Sequence, residues 1–152
     1  MNKKIDSILF VCTANSGRSP LAEYYFKKLL KENKIKSKVS SAGTDFYPVG
    51  ISEYSLKLLK EDGIDAKRHK PKVINEKIIN EFSLILCMDR SHIEKLKNRF
   101  PYAKDKIFLL SEFAVGSNEE IEDPIGKDFG EYKKTYEKIK LFIDKIFKNY
   151  LL

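Results

Sequence analysis

The chain is poor in the residue types that mark several classes of protein. Its 152 residues include two cysteines, no tryptophan, seven glycines and five prolines. Two cysteines do not suggest a disulfide framework, which favours a reducing cytoplasm. No apolar run approaches the length that spans a membrane. The first residues, Met1-Asn2-Lys3-Lys4, lead into a predicted strand rather than a secretory signal.

Basic residues outnumber acidic residues in the chain. The formal net charge is +7, from 29 Lys and Arg against 22 Asp and Glu. The lysines are spread over most segments and mixed with acidic residues, as in Glu131-Tyr132-Lys133-Lys134. No nucleic-acid-binding motif accompanies them. We therefore expect a solvated surface that binds neither nucleic acid nor membrane and attracts anionic substrates modestly.

Apolar runs alternate with helical patterns along the chain. Strands are predicted over residues 7–11, 38–41, 83–88 and 107–110. Helices are predicted to begin at Ser19 or Pro20 and at Ser52, with others over 76–81 and 91–99. A last helix has an apolar stripe formed by Tyr132, Tyr136, Ile139, Ile143, Ile146 and Tyr150. This alternation predicts a parallel sheet covered by helices on both faces.

One short segment carries the candidate chemistry. Cys12 and Arg18 bracket five residues, Thr13-Ala14-Asn15-Ser16-Gly17, after an apolar run and before Ser19-Pro20. The N–H groups of such a loop can point at one anion, and a helix that starts behind it adds its positive end. That field also favours a thiolate at Cys12, and Arg18 can hold two phosphate oxygens. The alternative is a buried structural cysteine with a solvated arginine.

The segment from Cys12 to Pro20, with Leu21-Ala22-Glu23, resembles the signature of the low-molecular-weight protein tyrosine phosphatases. The resemblance covers nearly the whole chain. Its further pieces are Ser40-Ser41-Ala42-Gly43-Thr44, Gly63-Ile64-Asp65, His69, Leu84-Ile85-Leu86-Cys87-Met88-Asp89 and Asp123-Pro124. It implies an enzyme that acts on a phosphorylated protein or peptide, releases inorganic phosphate, and uses no cofactor or metal.

We therefore expect a single α/β domain over residues 1–152. The predicted architecture is a three-layer sandwich with helices on both faces of a four-stranded parallel sheet, in the flavodoxin-like order 2-1-3-4. We expect a monomer.

Three residues are predicted to be catalytic. Cys12 is the nucleophile, Arg18 holds the equatorial phosphoryl oxygens, and Asp123 is the general acid. Pro124 biases Asp123 away from helix, which places the acid on a loop. The rival carboxylates are Glu119, Glu120 and Glu122. Ser19 either hydrogen-bonds the sulfur of Cys12, caps the following helix, or does both.

Further residues are assigned supporting parts. The resemblance implies that Asn15, Ser41 and His69 form a network that keeps the loop open. The resemblance also implies that Tyr47 and Ile125 form walls for the substrate, although Tyr47 can equally pack on its own loop. Cys87 is predicted to be a buried, inert thiol. His92 is assigned no role.

Several positions depart from the family pattern, and they point to two different substrates. Ala14 replaces a glycine, and Gly17 stands where many members carry a second cysteine. The polar Ser16, the lack of tyrosines at Ile125-Gly126 and the segment 111–116 point toward the protein arginine phosphatase branch. That branch usually has a phenylalanine at the place of Ile125 and no aromatic residue at the place of Tyr47, so these two positions do not fit it. We rank phosphotyrosine first and phosphoarginine second.

Two further readings remain. Arsenate reductase would need more redox cysteines than Cys87 alone. A non-catalytic phosphopeptide-binding module is disfavoured because Cys12, Arg18 and Asp123 are all retained.

Overall fold

A parallel sheet forms the centre of the molecule. A computed structural model describes residues 5–152. The strands are β1 (Ser7–Cys12), β2 (Lys38–Gly43), β3 (Leu84–Cys87) and β4 (Ile107–Leu109). They pair in parallel in the order β2-β1-β3-β4. The predicted four-stranded sheet and its order are confirmed.

Helices connect the strands and cover both faces. They are α1 (Arg18–Glu32), α2 (Glu53–Glu61), α3 (Glu76–Glu81), α4 (Arg90–Arg99), α5 (Leu110–Val115) and α6 (Phe129–Ile146). A 3₁₀ turn spans Pro101–Lys106, and a π-helical turn spans Phe147–Leu151. No helix within residues 5–152 is long and apolar enough to cross a membrane.

Two helix predictions need correction. Helix α1 begins at Arg18 and its N-cap is Gly17, so Ser19 lies inside the first turn and does not cap the helix. Helix α5 was not predicted, because six residues are too few to show an apolar period. It ends at Gly116, whose φ of 71° is the left-handed conformation that glycine adopts readily at a helix C-terminus.

Side chains of β1 alternate between two apolar cores. Ile8, Phe10 and Cys12 belong to the core on the face covered by α1 and α6. Leu9 and Val11 belong to the core on the other face, which also contains Cys87. Because successive residues of a strand point to opposite faces, Cys12 and Cys87 lie on opposite sides of the sheet.

The carboxyl ends of β1 and β2 pack against each other without room for a side chain. Thr44 N–H donates to the Cys12 carbonyl, and Asp45 N–H donates to the Thr13 carbonyl. A Cβ on Gly43 would lie 2.5 Å from the Thr13 carbonyl oxygen and 3.0 Å from the Asn15 nitrogen. Gly43 therefore sets how closely the loop after β1 can approach β2.

Gly43→Ala should destabilise the fold by about 1–3 kcal/mol, because the added methyl group overlaps backbone that cannot move freely. The free energy of unfolding from urea titration measures this. Gly130→Ala in α6 is the matched control: its Cβ would be no closer than 3.4 Å to any neighbour, so stability should be kept or slightly raised. Equal stability of the two variants would contradict the close packing at Gly43.

Candidate active site

The loop between β1 and α1 forms a cradle with Cys12 at its base. Within residues 5–152, the backbone N–H groups of Ala14 to Arg18 donate to no protein acceptor. Four of these five residues line a small pocket of about 50 Å³. The lining consists of Cys12, Thr13, Ala14, Ser16, Gly17, Arg18, Ser52, Asp123, Ile125 and Tyr132. Unpaired donors at the start of a helix favour an anion in this space.

The shape of the cradle depends on Asn15, which is fully buried. Its φ of 56° is left-handed, a conformation that asparagine tolerates better than most residues. The side-chain amide donates to Ser19 Oγ at 2.9 Å and to Ser41 Oγ at 2.8 Å. Its carbonyl oxygen accepts from the Lys72 N–H at 3.1 Å. The side chain is therefore held at every polar atom.

A buried chain of hydrogen bonds continues from Asn15. Ser41 Oγ donates to Glu23, whose buried carboxylate also pairs with Lys27. His69 Nε2 lies 2.9 Å from the Asn15 backbone oxygen, and since a carbonyl only accepts, Nε2 is the donor. The structure thus brings together Asn15, Ser41 and His69, as the resemblance implied, and adds Glu23.

Ser19 contacts the sulfur directly. Its Oγ lies 2.9 Å from Cys12 Sγ, and Cys12 itself is only 3% exposed. Because Ser19 Oγ already accepts a hydrogen bond from Asn15, its own proton is available to the sulfur. This arrangement suits a thiolate, which needs donors and offers none.

Arg18 is buried at the edge of the pocket, and the two terminal nitrogens of its guanidinium make different contacts. Nη1 donates to Asp89 Oδ2 and to the Ile121 carbonyl, both at 2.8 Å. Nη2 lies 3.4 Å from Thr13 Oγ1 and 3.6 Å from Asp123 Oδ2. One nitrogen is therefore fully used in fixing the side chain, while the other faces the pocket.

Asp123 is the carboxylate that lines the pocket. Its side chain is 46% exposed, and Oδ1 accepts from the Ile125 N–H at 3.1 Å. The rival Glu119 pairs with Lys138, and Glu120 pairs with Arg90. Glu122 lines a different depression, on the side of the loop next to α6. The geometry favours Asp123 among the four candidates.

The apolar side of the pocket is formed partly by helix α6, which the sequence did not indicate. Ile125 is one of its lining residues, with 74% of its surface exposed, and its part as a substrate wall stays a prediction. Tyr132 of α6 lines it as well, although the sequence assigned this residue only to the core stripe. Tyr47 lies in an adjacent groove with Phe46 and Pro48 and does not reach the pocket over Cys12. Its part as a wall stays a prediction.

Sequence reasoning missed two residues that follow β3. Asp89 is the ion-pair partner of Arg18, and His92 contacts Thr13. Burial opposes ionisation of Asp89, but hydrogen bonds from Ser91 and Arg18 outweigh it and lower its pKa. The available signal was position, because the carboxyl ends of neighbouring parallel strands meet at one edge of the sheet. Within residues 5–152, no group of three or more His, Cys, Asp or Glu side chains is arranged to hold a metal ion.

Cys87 is fully buried in β3, as predicted. Burial raises the pKa of its thiol, and the nearby Asp89 adds to the effect. A thiol that is difficult to ionise is a poor nucleophile. The reactive sulfur of this chain is therefore expected to be Cys12 alone.

Comparison with known proteins agrees with this arrangement. A protein-arginine-phosphatase of Bacillus subtilis is 31% identical, over 93% of this chain and 94% of that protein. A low molecular weight phosphotyrosine protein phosphatase of Gallus gallus is 33% identical, over 93% and 96%. A solved YwlE arginine phosphatase, a cysteine-to-serine mutant with a phosphorylated active site serine, superposes with a TM-score of 0.90 at 29% identity and covers 93% of both chains. The family described as low molecular weight phosphotyrosine protein phosphatase matches residues 7–150, and the chain belongs to that family.

Proposed function

We propose that this chain is a cysteine-dependent protein phosphatase that hydrolyses phosphotyrosine through a cysteinyl-phosphate intermediate. The observation that carries the proposal is that Cys12 lines one small pocket together with Arg18, Asp123 and loop residues whose backbone N–H groups have no protein acceptor in the described part of the chain. Such a site holds a phosphoryl group directly over a nucleophile.

The first step transfers the phosphoryl group to sulfur. The Cys12 thiolate attacks phosphorus, and the bond from phosphorus to the leaving oxygen breaks. Asp123 gives its proton to that oxygen as the alcohol leaves. Arg18 Nη2 and the loop N–H groups stabilise the charge on the equatorial oxygens.

The second step returns the enzyme to its starting state. Water attacks phosphorus while Asp123, now a carboxylate, accepts the water proton. The phosphorus–sulfur bond breaks and inorganic phosphate is released. The Ser19 hydroxyl, held 2.9 Å from the sulfur, donates to the departing thiolate. Its orientation follows from the bond that it accepts from Asn15.

Phosphotyrosine is favoured by the apolar side of the pocket. Tyr132 and Ile125 offer two surfaces against which a phenyl ring can pack. Tyr132 is supported from behind by Tyr54, with ring centroids 5.1 Å apart and planes at 70°. The segment after Asp123-Pro124 contains no tyrosine until Tyr132. The Tyr54–Tyr132 pair therefore supplies the aromatic surface beside the pocket over Cys12.

One observation favours phosphoarginine as a second candidate. Ser16 Oγ donates its proton to the Gly50 carbonyl at 2.7 Å, so it presents only lone pairs to the pocket. An acceptor at the rim suits the N–H groups of a guanidinium leaving group better than a phenyl ring. The Bacillus subtilis relative named as an arginine phosphatase supports the same candidate.

We further propose that the enzyme acts as a monomer in the cytoplasm, on phosphorylated proteins or peptides. Both thiols are unpaired, which suits a reducing compartment. Arsenate reduction is disfavoured because Cys87, the other thiol, is buried on the opposite face of the sheet.

The test of function compares two peptides of one sequence that carry either phosphotyrosine or phosphoarginine. We expect kcat/KM to be higher on phosphotyrosine, because the pocket has an apolar wall. Cys12→Ser should abolish turnover on both while keeping the thermal midpoint, and intact mass can detect a trapped phosphoserine. A higher kcat/KM on phosphoarginine would favour the second candidate, and no turnover on either would refute the phosphatase.

Asp123→Asn should lower kcat by about 10²–10⁴-fold on substrates with poor leaving groups, the usual contribution of a general acid. Activated aryl phosphates should lose less, since their leaving oxygen needs little protonation. Steady-state kinetics on an alkyl and a nitrophenyl phosphate measure the difference, with Glu122→Gln as the control. Equal losses on the two substrates would assign Asp123 a structural role instead.

Peroxide should inactivate the enzyme with poor recovery on adding a thiol reductant. Cys12 has no neighbouring thiol to trap its sulfenic acid as a disulfide, because Cys87 lies across the sheet. Gly17→Cys should improve recovery, and a Cβ at that position meets nothing within 4 Å. Lys148→Cys, exposed at the far end of the chain, is the control. A Cys12–Cys87 disulfide found by mass spectrometry in the parent protein would contradict this account.

A further inference from the structure

His92 is a fully buried imidazole that contacts the phosphate-binding loop. It lies in the first turn of α4, and both ring nitrogens have partners. Nδ1 lies 3.2 Å from the Asp89 backbone nitrogen, and Nε2 lies 2.9 Å from Thr13 Oγ1. The imidazole therefore bridges the end of β3 and the first residue of the loop after β1. Neither step of the proposed reaction uses this side chain.

The partner of Nδ1 fixes which nitrogen carries the proton. The Asp89 N–H donates to Nδ1, so a neutral ring carries its proton on Nε2. A charged ring could instead pair Nδ1 with Asp89 Oδ1, which is 3.4 Å away. Burial lowers the pKa of His92 to about 4; Asp89 and Asp123 oppose this shift, while Arg18 and Lys95 add to it. The imidazole is neutral around pH 7.

This tautomer determines how the Thr13 hydroxyl is oriented. Nε2–H donates to Thr13 Oγ1, and Arg18 Nη2 approaches the same oxygen at 3.4 Å. Both lone pairs of the hydroxyl are then occupied, and its own proton finds no acceptor within residues 5–152. Thr13 lines the pocket over Cys12. The direction left for the proton is toward a bound anion.

We propose that His92 is a positioning residue of the reaction, and that it makes the Thr13 hydroxyl a hydrogen-bond donor to a phosphoryl oxygen in the pocket. The inference rests on the proposed phosphatase function and assigns a new donor to that site. The opposite tautomer would have Thr13 donate to Nε2, which would turn a lone pair toward the phosphate dianion and repel it. The His92 tautomer thus decides whether Thr13 attracts or repels the substrate.

A purely structural role for His92 is the competing explanation. The ring also completes a capping box at the start of α4 with Asp89, and such a box by itself stabilises a helix start. Capping would not make phosphate affinity depend on the hydroxyl of Thr13. The two roles are therefore separated by measuring phosphate affinity in variants of both residues.

The tautomer is read directly by ¹⁵N NMR of the imidazole rings across neutral pH. The chain has two histidines, so His92→Gln assigns the signals. We expect the Nε2-protonated neutral form. An Nδ1-protonated or charged ring would overturn the proposal without any change to the loop.

Inhibition constants of inorganic phosphate, with an aryl phosphate as substrate, supply the second test. Thr13→Val should weaken phosphate binding by about 10- to 100-fold, the loss of one hydrogen bond to a charged group. Thr13→Ser should retain most of the affinity. Thr135→Val, which changes a threonine of α6 that hydrogen-bonds within its own helix, is the control and should leave the affinity unchanged.

A double-mutant cycle connects the two residues. His92→Leu should weaken phosphate binding in the protein that retains Thr13 and have no further effect in the Thr13→Val variant. His92→Gln, whose amide can accept and donate at the same places as the imidazole, should bind phosphate more tightly than His92→Leu. Equal effects of His92→Leu in both backgrounds, or unchanged affinity in Thr13→Val, would overturn the proposal. A parent protein that neither turns over aryl phosphates nor binds phosphate would overturn the proposed function, and this role with it.

Discussion

The left-handed backbone at Asn15 is the constraint on which the site depends. A loop of five residues between Cys12 and Arg18 can aim its N–H groups inward only if the chain reverses sharply. That reversal occurs at a buried residue with φ of 56°. Such a conformation persists when the surroundings over-determine it. Here Ser19, Ser41 and the Lys72 backbone hold the side chain, and His69 holds the carbonyl.

Arg18 joins the separate parts of the site into one unit. Its Nη1 connects Asp89, two residues past the end of β3, with the Ile121 carbonyl before the acid loop. Ile121 N–H in turn donates to the Met88 carbonyl. A buried guanidinium must have its N–H groups satisfied, so the nucleophile's loop and the general acid's loop have a common anchor. The position of Asp123 follows from the same contacts that fix Arg18.

The features that could be predicted from the sequence are those that depend on local pattern. The strand before Cys12, the alternation of strands and helices, and the cradle from Cys12 to Arg18 follow from apolar periodicity and short motifs. Asn15, Ser41 and His69 required the family resemblance, because residues so far apart along the chain share no local signal. Helix α5 was too short for periodicity to show.

Other features depend on tertiary packing. Tyr132 lies in the core stripe of α6 and yet borders the pocket, because it stands in the first turn of the helix, soon after the loop that carries Asp123. Asp89 and His92 enter the site only because β3 pairs beside β1. Tyr47 lies outside the pocket because the loop after β2 places it in a neighbouring groove.

The alternation of β1 has a consequence for how this sequence can change. Cys12 faces the α1 and α6 side only because it is an even number of residues from Ile8 and Phe10. Inserting or deleting one residue within β1 would move either the apolar side chains of the strand or the sulfur of Cys12 to the opposite face of the sheet. Length variation can therefore accumulate in the surface loops of this chain but not in β1, where only the last residue, Cys12, lines the pocket and the rest of the strand holds it at a fixed count from the core.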